Sequence, residues 1–298
     1  MPPCSRAAAR TLTALALTAA TLTACAAPVG APSSADRASL APEQAAAQAR
    51  PPQRAPRPPT LPLAPGGQAP VFAHGPRAPQ DTTARDKTVA LTFDADMTAS
   101  QGPLAAAGEP YDNPALVDLL TAERVPATFF VTGMWARTYP GQTAALGRDP
   151  LFEVGNHSFS HYAFTEPCHG LPALEPGQAA ADVREGFAAL RAAGVANPAP
   201  YFRFPGGCYD EAALRAIAPS GVTVVQWDVV SGDPFNPDAG AVARQVLSGV
   251  RPGSVVVLHC TRSAAPATTE AVRRIVPELR ERGYRFVRVS QLIADALE

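Results

Sequence analysis

The sequence has no excess of charge and no apolar run long enough to predict a membrane span. Its 298 residues carry 25 basic and 26 acidic side chains, a formal net charge of -1. This balance argues against nucleic acid or an anionic membrane surface as the main partner. Cysteine and histidine are both scarce, with five residues of each. The length suits one large domain or two small ones.

The N-terminus has the pattern of an export signal. Arg6 and Arg10 precede the uncharged run Leu12–Ala24, which is too short and too weakly apolar for a transmembrane helix. The run ends in Leu-Thr-Ala-Cys, which resembles the lipobox of bacterial lipoproteins, where the cysteine is lipidated. The alternative is an ordinary secretory signal with an incidental cysteine. We predict a lipoprotein signal over the first 24 residues, lipidation at Cys25 and a lipid-anchored or secreted protein outside the cytoplasm.

The next segment differs in composition from the rest of the chain. Thirteen of the 33 prolines lie between Ala26 and Gln80, among Ala, Gln and Arg, with few large apolar residues. Such a segment buries too little surface to offset the entropy of ordering. We therefore predict a disordered tether over residues 25–80 and a folded domain over residues 81–298.

Short apolar runs alternate with helical periodicity from Lys87 onward. Strands are predicted at Thr88–Phe93, Ala127–Val131, Phe152–Gly155, Tyr201–Phe204, Val222–Trp227, Val255–Leu258 and Arg285–Val289. This alternation indicates an α/β fold with a parallel sheet, either a closed or nearly closed (β/α) barrel or an open doubly wound sheet. In both folds the active site lies at the carboxyl ends of the strands.

Two carboxylates and two histidines follow predicted strands. Asp94 and Asp96 come after the first strand, and two acids in a charge-poor stretch indicate pairing or metal binding more than a solvated loop. His157 and His161 follow the third strand, and their spacing of four places both imidazoles on one face of a helical turn. Two nitrogens and a carboxylate suit iron, zinc, cobalt or nickel. Capping or surface histidines are the alternative.

Later strands are also followed by chemically active residues. Arg203 begins the run Arg-Phe-Pro-Gly-Gly, and its fork could hold a carboxylate, with Asp233 as candidate partner. Trp227 fits either a site or the core. His259 is the third histidine at a strand end and a candidate proton donor. Three cysteines fall in the predicted domain, and the pairing stays open, with Cys168–Cys208 favoured because both lie in predicted loops.

These motifs together resemble the polysaccharide deacetylases, the NodB-homology or carbohydrate esterase family 4 domain. The matching runs are Thr-Phe-Asp, His-Ser-x-x-x-His, Arg-x-Pro-Gly, an Asp-bearing loop and Leu-His, in this order between Lys87 and Leu297. The resemblance implies a deformed (β/α) barrel. It also implies hydrolysis of acetyl groups from a polysaccharide by a monomeric, metal-dependent enzyme, with zinc first and cobalt, nickel or manganese as alternatives.

The resemblance also implies roles for individual residues. Asp94 matches the general base, His259 the general acid, and Arg203 and Asp233 the residues that orient or tune them. His157 and His161 match metal ligands. The positions implied to contact substrate or line the acetyl pocket are Pro205, Gly206, Tyr209, Trp227 and Leu258.

Three departures from the family pattern qualify this assignment. Ala95 stands where the family has a second, metal-binding acid, so Asp96, or Asp94 itself, is proposed as the third protein ligand. The fourth motif has Val230 and Pro234 in place of an acid and a tryptophan, and Cys260 follows His259. The substrate expected is an N-acetylated amino sugar polymer. The alternatives are an O-acetyl esterase of xylan type and a catalytically lapsed, tethered carbohydrate-binding lipoprotein.

Overall fold

A computed structural model of the protein describes residues 57–77, 87–175 and 177–298, and in this part of the chain nine strands form one parallel sheet. The strands are β1 (Val71–Phe72), β2 (Thr88–Ala95), β3 (Ala127–Val131), β4 (Phe152–Asn156), β5 (Tyr201–Phe202), β6 (Thr223–Val225), β7 (Val229–Val230), β8 (Ser254–His259) and β9 (Arg285–Phe286). The α-helices are α1 (Gly102–Ala106), α2 (Pro114–Ala122), α3 (Gly133–Thr138), α4 (Pro140–Arg148), α5 (Ala179–Ala192), α6 (Glu211–Ile217), α7 (Ala239–Gly249), α8 (Thr268–Glu281) and α9 (Val289–Leu297). The predicted alternation of strands and helices is confirmed.

The sheet curls into a deformed barrel. Its strands are ordered β1-β6-β5-β4-β3-β2-β8-β7, with β9 also pairing with β2. In a flat sheet, strand spacings of about 4.8 Å would separate β6 from β7 by roughly 29 Å. The chain between Val225 and Val229 spans at most about 14 Å, so the two edges must approach each other. The predicted (β/α) barrel is therefore confirmed, and the open doubly wound alternative is wrong.

Strand β2 lies at the centre of the sheet. All eight of its residues are buried, because β2 pairs with β3, β8 and β9. Successive side chains point to opposite faces. Leu91 and Phe93 belong to the core between the sheet and the helices, whereas Ala90 belongs to a second cluster on the inner face. Thr92 and Asp94 share this inner face by alternation.

Helix α9 closes the end of the barrel from which the strands start. Its Leu292 and Ile293 pack in the inner cluster with Phe130 and Tyr201. The first turn of α9 is fixed to this end, because Val289 N donates to Thr128 Oγ1 at 3.0 Å and Ser290 N donates to Glu153 Oε1 at 3.2 Å. Helix α9 does not cover the opposite end of the barrel, which is formed by the carboxyl ends of the strands.

The predicted tether is too long. Residues 57–77 pack on the barrel, and Val71 and Phe72 form β1 against Val224 and Val225 of β6. The segment is also held by a hydrogen bond of 2.8 Å from the Tyr201 hydroxyl to the Pro59 carbonyl. An edge strand tolerates the surrounding prolines, because only one side of it is paired. Residues 25–56 of the predicted tether lie outside the described residues, as does the predicted signal.

Other differences concern element boundaries. The strand predicted at Val222–Trp227 is shorter in the structure, where it is β6. The chain then forms β7 on the other edge of the sheet. The predicted strand Arg285–Val289 ends at Phe286, and α9 begins at Val289. Among the described helices, none combines the length and apolar character needed to cross a bilayer.

Candidate active site

Four of the predicted site residues meet at the carboxyl end of the barrel. Asp94 and His259 are direct register partners on β2 and β8, while His157 follows β4 and Arg203 follows β5. Alternation along the strands directs them all to the inner face, because Ala90, Tyr201 and Val255, at even spacings from them, line the inner cluster. The expectation that chemically active residues meet where the strands end is met for these four.

Asp94 and Arg203 form a buried ion pair. Arg203 Nη1 donates to Asp94 Oδ1 at 2.7 Å, and the arginine is fully buried. Arg203 Nε donates to the Val225 carbonyl at 3.1 Å. The guanidinium lies over the rings of Phe130, at 4.1 Å, and Trp227, at 5.3 Å. These contacts fix the arginine and hence the orientation of the Asp94 carboxylate. The interpretation of Asp233 as the partner of Arg203 is wrong.

The surrounding charges keep Asp94 ionised. Burial by itself would raise the pKa of the Asp94 carboxyl. The Arg203 guanidinium, together with the neighbouring His157 and His259, outweighs burial and lowers that pKa below its usual value. Arg203 occupies one carboxylate oxygen, and Oδ2 faces His157 Nε2 at 3.6 Å. An ionised carboxylate with one oxygen free is able to accept a proton.

His259 and Asp233 form a second pair, in which Asp233 is buried and His259 is partly buried. The ring Nδ1 of His259 lies 2.9 Å from Asp233 Oδ1, and the His259 backbone N donates to Oδ2 at 2.8 Å. Asp233 also accepts from Ser231 Oγ and from Thr268 Oγ1, both at 2.6 Å. Burial lowers the pKa of His259, but Asp233 opposes it and raises the pKa to about 9. His259 is therefore protonated at neutral pH, with Nε2–H available as a donor.

The two histidines of the middle motif lie in a loop and not on a helical turn. Ser158 and His161 have positive φ angles, 74° and 58°, so the predicted helical geometry is wrong. The rings nevertheless lie side by side, with centroids 5.0 Å apart. His157 Nδ1 donates to the Arg203 carbonyl at 2.9 Å, because a carbonyl only accepts, and this leaves the Nε2 lone pair free.

Asp182 holds this loop, and sequence reasoning did not find it. It lies in the first turn of α5 and is 7% exposed. Its Oδ1 accepts from the Phe159 backbone N at 2.6 Å, and its Oδ2 accepts from the Ser160 backbone N at 3.1 Å. The carboxylate therefore stabilises the left-handed backbone that brings His157 and His161 together. An acid at a helix start carries no sequence signal for such a partner, because capping explains it equally well.

Asp96 lies beside the second histidine. Its Oδ1 accepts from Thr261 Oγ1 at 2.5 Å, and its Oδ2 lies 3.7 Å from His161 Nε2. Burial lowers the pKa of His161 to about 4, although Asp96 opposes this shift. His161 is therefore neutral at pH 7 and keeps a lone pair. Asp94 and Asp96 therefore each face one histidine of the pair.

This group has the donor chemistry for a divalent cation. The two histidine–carboxylate separations, 3.6 and 3.7 Å, exceed hydrogen-bond lengths. Two tetrahedral zinc ligands with bonds of about 2.1 Å lie roughly 3.4 Å apart, so His161 and Asp96, at 3.7 Å, have nearly the spacing of two ligands of one ion. Within the described ranges, no group of three His, Cys, Asp or Glu side chains is arranged to hold a metal ion.

The Pro-Gly-Gly turn after β5 is shaped by close packing. Gly206 has φ 62°, and a Cβ there would lie 2.7 Å from Cys168 Sγ. A Cβ on Gly207 would lie 2.4 Å from the Trp227 ring. A disulfide joins Cys168 to Cys208 next to this turn, which confirms the favoured pairing and leaves Cys260 as a buried free thiol. Only glycine fits at either position.

The remaining predicted substrate residues are not equally placed. Tyr209 is 37% exposed and stacks on Phe204. Pro205 is buried in the turn, and half-buried Trp227 covers Arg203. Leu258 is fully buried in the core between sheet and helices, facing away from His259 by alternation. This position does not support its predicted place in the acetyl pocket. Cys25 lies outside the described residues.

Known proteins share both the sequence pattern and the fold. The polysaccharide deacetylase family matches residues 81–225. A chitooligosaccharide deacetylase of Rhizobium leguminosarum bv. phaseoli is 31% identical over 220 residues, 70% of this chain and 87% of that protein. A peptidoglycan-N-acetylglucosamine deacetylase of Bacillus cereus is 29% identical over 211 residues, covering 70% and 89%. The family 4 carbohydrate esterase from Streptomyces lividans, solved in complex with acetate, has a TM-score of 0.54 at 28% identity and covers 67% of this chain and 92% of that one. The chain therefore belongs to the polysaccharide deacetylase family and is a deacetylase hydrolase.

Proposed function

We propose that this deacetylase removes N-acetyl groups from amino sugars of a cell-envelope or environmental polysaccharide, such as peptidoglycan or a chitin-type glycan. The proposal is carried by one observation: Asp94, paired with Arg203, and His259, paired with Asp233, lie side by side at one register position of β2 and β8. One pair holds an ionised carboxylate and the other a protonated histidine. Hydrolysis of an amide needs both a base and an acid. The names of the relatives, chitooligosaccharide and peptidoglycan-N-acetylglucosamine deacetylases, support the amide substrate.

Asp94 is the base in this mechanism. It accepts a proton at Oδ2 from the water that attacks the acetyl carbonyl, because Arg203 already occupies Oδ1. Arg203 does not contact the reacting atoms. It keeps the carboxylate oriented and holds its pKa low, so that the base is ready in the free enzyme.

His259 is the acid. It donates the proton on Nε2 to the nitrogen of the departing amine, while Asp233 holds Nδ1 and compensates the positive charge. The two proton-transfer groups have their pKa values shifted in opposite directions, as acid–base chemistry at one pH requires. Backbone N–H groups of the turn between Gly206 and Tyr209 are the proposed donors to the oxyanion that forms on the carbonyl.

Asp96, His157 and His161 would hold a divalent cation, zinc first and cobalt, nickel or manganese as alternatives. Such a cation supplies Lewis-acid polarisation of the acetyl carbonyl and lowers the pKa of water. Asp182 positions the two histidines through the backbone of their loop.

We also propose export through the N-terminal signal and a lipid anchor at Cys25. The packed segment 57–77 moves the start of the folded domain upstream of residue 81. The tether would then comprise residues 25–56, and the acetylated glycan would meet the enzyme outside the cytoplasm. The export route rests on the sequence pattern alone.

An acetate-release panel tests the proposal. Peptidoglycan, chitin oligomers and acetyl-xylan are incubated with the protein and with added zinc, cobalt, nickel or manganese. Release from an amino-sugar polymer, lost in both Asp94→Asn and His259→Ala, is the expected result. Release of acetate from acetyl-xylan alone would show that the substrate is an O-acetyl ester and not an N-acetyl amide.

A second candidate function is favoured by one observation, that Ala95 occupies the position of the family's second acid. It is a lapsed deacetylase that binds carbohydrate. Metal bound at the two histidines without acetate release from any of the three glycans would support it.

A further inference from the structure

A cavity of about 740 Å³ lies at the opposite end of the barrel from Asp94 and His259. It is lined by Phe152, Glu153 and Val154, which begin β4, whereas His157 follows the end of that strand. At about 3.3 Å per residue, Phe152 and His157 lie roughly 17 Å apart along the strand. We name this space the basal cavity. The proposed deacetylation does not use it.

Four arginines from four separate segments of the chain line the basal cavity. They are Arg57, which precedes β1, Arg148 at the end of α4, Arg191 near the end of α5, and Arg288, which precedes α9. All four are exposed. The net charge of the chain is -1. This near-neutral total does not predict that four positive charges gather at one place on the surface.

These arginines form no ion pair with a carboxylate among the described residues. Arg191 lies over the Phe187 ring at 5.8 Å, and Arg288 Nη1 donates to the Pro150 carbonyl at 3.4 Å. By contrast, Arg280 and Arg282 elsewhere on the surface each pair with a glutamate. Apart from the Arg288 bond to Pro150, no described residue occupies these guanidinium donors, which leaves them available to a ligand.

The two carboxylates at the cavity are engaged in the fold. Asp149 accepts from the Leu151 backbone N at 2.9 Å and from Thr121 Oγ1 at 3.3 Å. Glu153 is 7% exposed and accepts from Thr128 Oγ1 at 2.9 Å and from Ser290 N. Burial raises the pKa of Glu153, against the opposing effects of its hydrogen bonds to Ser290 and Thr128 and of the Arg288 charge. Four guanidinium groups thus outnumber the carboxylates, and the cavity is electropositive.

We infer that the basal cavity binds a phosphate group. The planar fork of arginine matches phosphate oxygens in pairs, and a phosphate monoester carries about -1.5 to -2 charges at pH 7, more than one carboxylate brings. The volume lies in the range of roughly 300 to 1,000 Å³ that small-ligand sites occupy. The phosphate belongs either to a soluble compound or to a lipid headgroup, and Arg57 stands where the chain arrives from the predicted lipid-anchored tether.

Calorimetric titration of the full chain tests this inference. Cys25→Ser removes the predicted lipidation, and metal-free buffer limits binding at the catalytic end. Inorganic phosphate and glycerol 3-phosphate are the probes. We expect saturable binding that weakens at least tenfold in the double variant Arg148→Ala, Arg288→Ala and weakens further with added sodium chloride. The matched control is Arg215→Ala, at an exposed position of α6, and it should bind phosphate as the parent does.

Sedimentation with vesicles distinguishes the two sources of phosphate. Vesicles of phosphatidylglycerol and phosphatidylcholine are compared with vesicles of phosphatidylcholine alone. Binding to the anionic vesicles that the double variant loses assigns the cavity to lipid headgroups, and phosphate binding without vesicle binding assigns it to soluble compounds. Absence of phosphate binding, or equal binding by parent and double variant, overturns the inference. Unchanged acetate release and melting temperature in the double variant show that it is folded.

Discussion

The two ends of the barrel hold arginine in opposite ways. At the carboxyl end, Arg203 is fully buried, pairs with Asp94 and lies over two aromatic rings. At the amino end, Arg148 and Arg288 are exposed and have no carboxylate partner among the described residues. The contacts of the buried arginine fix its side chain, and the fixed guanidinium in turn orients the Asp94 carboxylate. Apart from the bond of Arg288 to the Pro150 carbonyl, the donors of these exposed arginines have no partner among the described residues, which suits a ligand that arrives from solution.

The difference shows that residue type alone does not determine how much a charged side chain contributes to stability. Removing one partner of a buried pair costs about 3–5 kcal/mol because the other charge is left uncompensated. Removing an exposed arginine changes stability by less than about 0.5 kcal/mol. Substitutions at the carboxyl end should therefore alter chemistry, and those at the amino end should alter stability or ligand binding without altering chemistry.

The largest expected effect comes from Asp94→Asn. The substitution removes the proposed base and leaves Arg203 without its charged partner, so acetate release should fall about a thousandfold. The measurement is kcat on the best substrate of the glycan panel. The matched control is Asp118→Asn, an exposed carboxylate on α2, which should keep full activity. If Asp94→Asn retains a tenth or more of the activity, another residue is the base.

Asp233→Asn should change the pH dependence of the second pair. The Asp233 charge raises the pKa of His259 from 6.5 to about 9, so its loss lowers that pKa. Because the acid must be protonated, the alkaline limb of kcat/KM should move to lower pH, and kcat/KM at pH 8 should fall about thirtyfold. The measurement is kcat/KM from pH 5 to 10. An alkaline limb that stays in place would remove His259 from the role of acid.

Asp182→Asn tests positioning at the same end without touching the reacting atoms. An asparagine turns an N–H donor toward one of the two backbone N–H groups, of Phe159 and Ser160, that Asp182 accepts from. We expect cation affinity to fall about tenfold, in the range for residues that orient ligands, with partial recovery of kcat at saturating cation. Chelator competition measures the affinity. Glu185→Gln, exposed on the same helix, is the control. Equal cation affinity in both variants would show that Asp182 serves stability alone.

The smallest effect on chemistry is expected at the amino end. Leu292→Ala removes a fully buried side chain of the inner cluster and should lower the free energy of unfolding by about 2–5 kcal/mol. Acetate release at 25 °C should be unchanged, because α9 lies at the far end of the barrel. Leu297→Ala on the same helix, at a residue 49% exposed, should leave the melting temperature nearly unaltered. A large loss of kcat in Leu292→Ala at full folding would mean that the ends are coupled.

Local sequence predicted most of the strands, but not every partner. Strand β3 has the predicted bounds, and β2 extends the prediction by two residues, because apolar runs bounded by turns are a local signal. Strand β1 was missed, since two residues in a proline-rich segment carry no such signal and pair only because the edge of β6 is free. The pattern of His157 and His161 suggested a helical turn, whereas Asp182 holds their loop in another conformation.

The sequence by itself determined which residues stand at the ends of the strands. It placed Asp94, His157, Arg203 and His259 there in the order of the family motifs, because side-chain periodicity and turn residues are encoded over a few positions. Only the tertiary structure decided which acid pairs with which cation, and that four distant arginines meet at one cavity. Pairing across the barrel depends on how the sheet curls, and that curl is set by contacts between residues far apart in the chain.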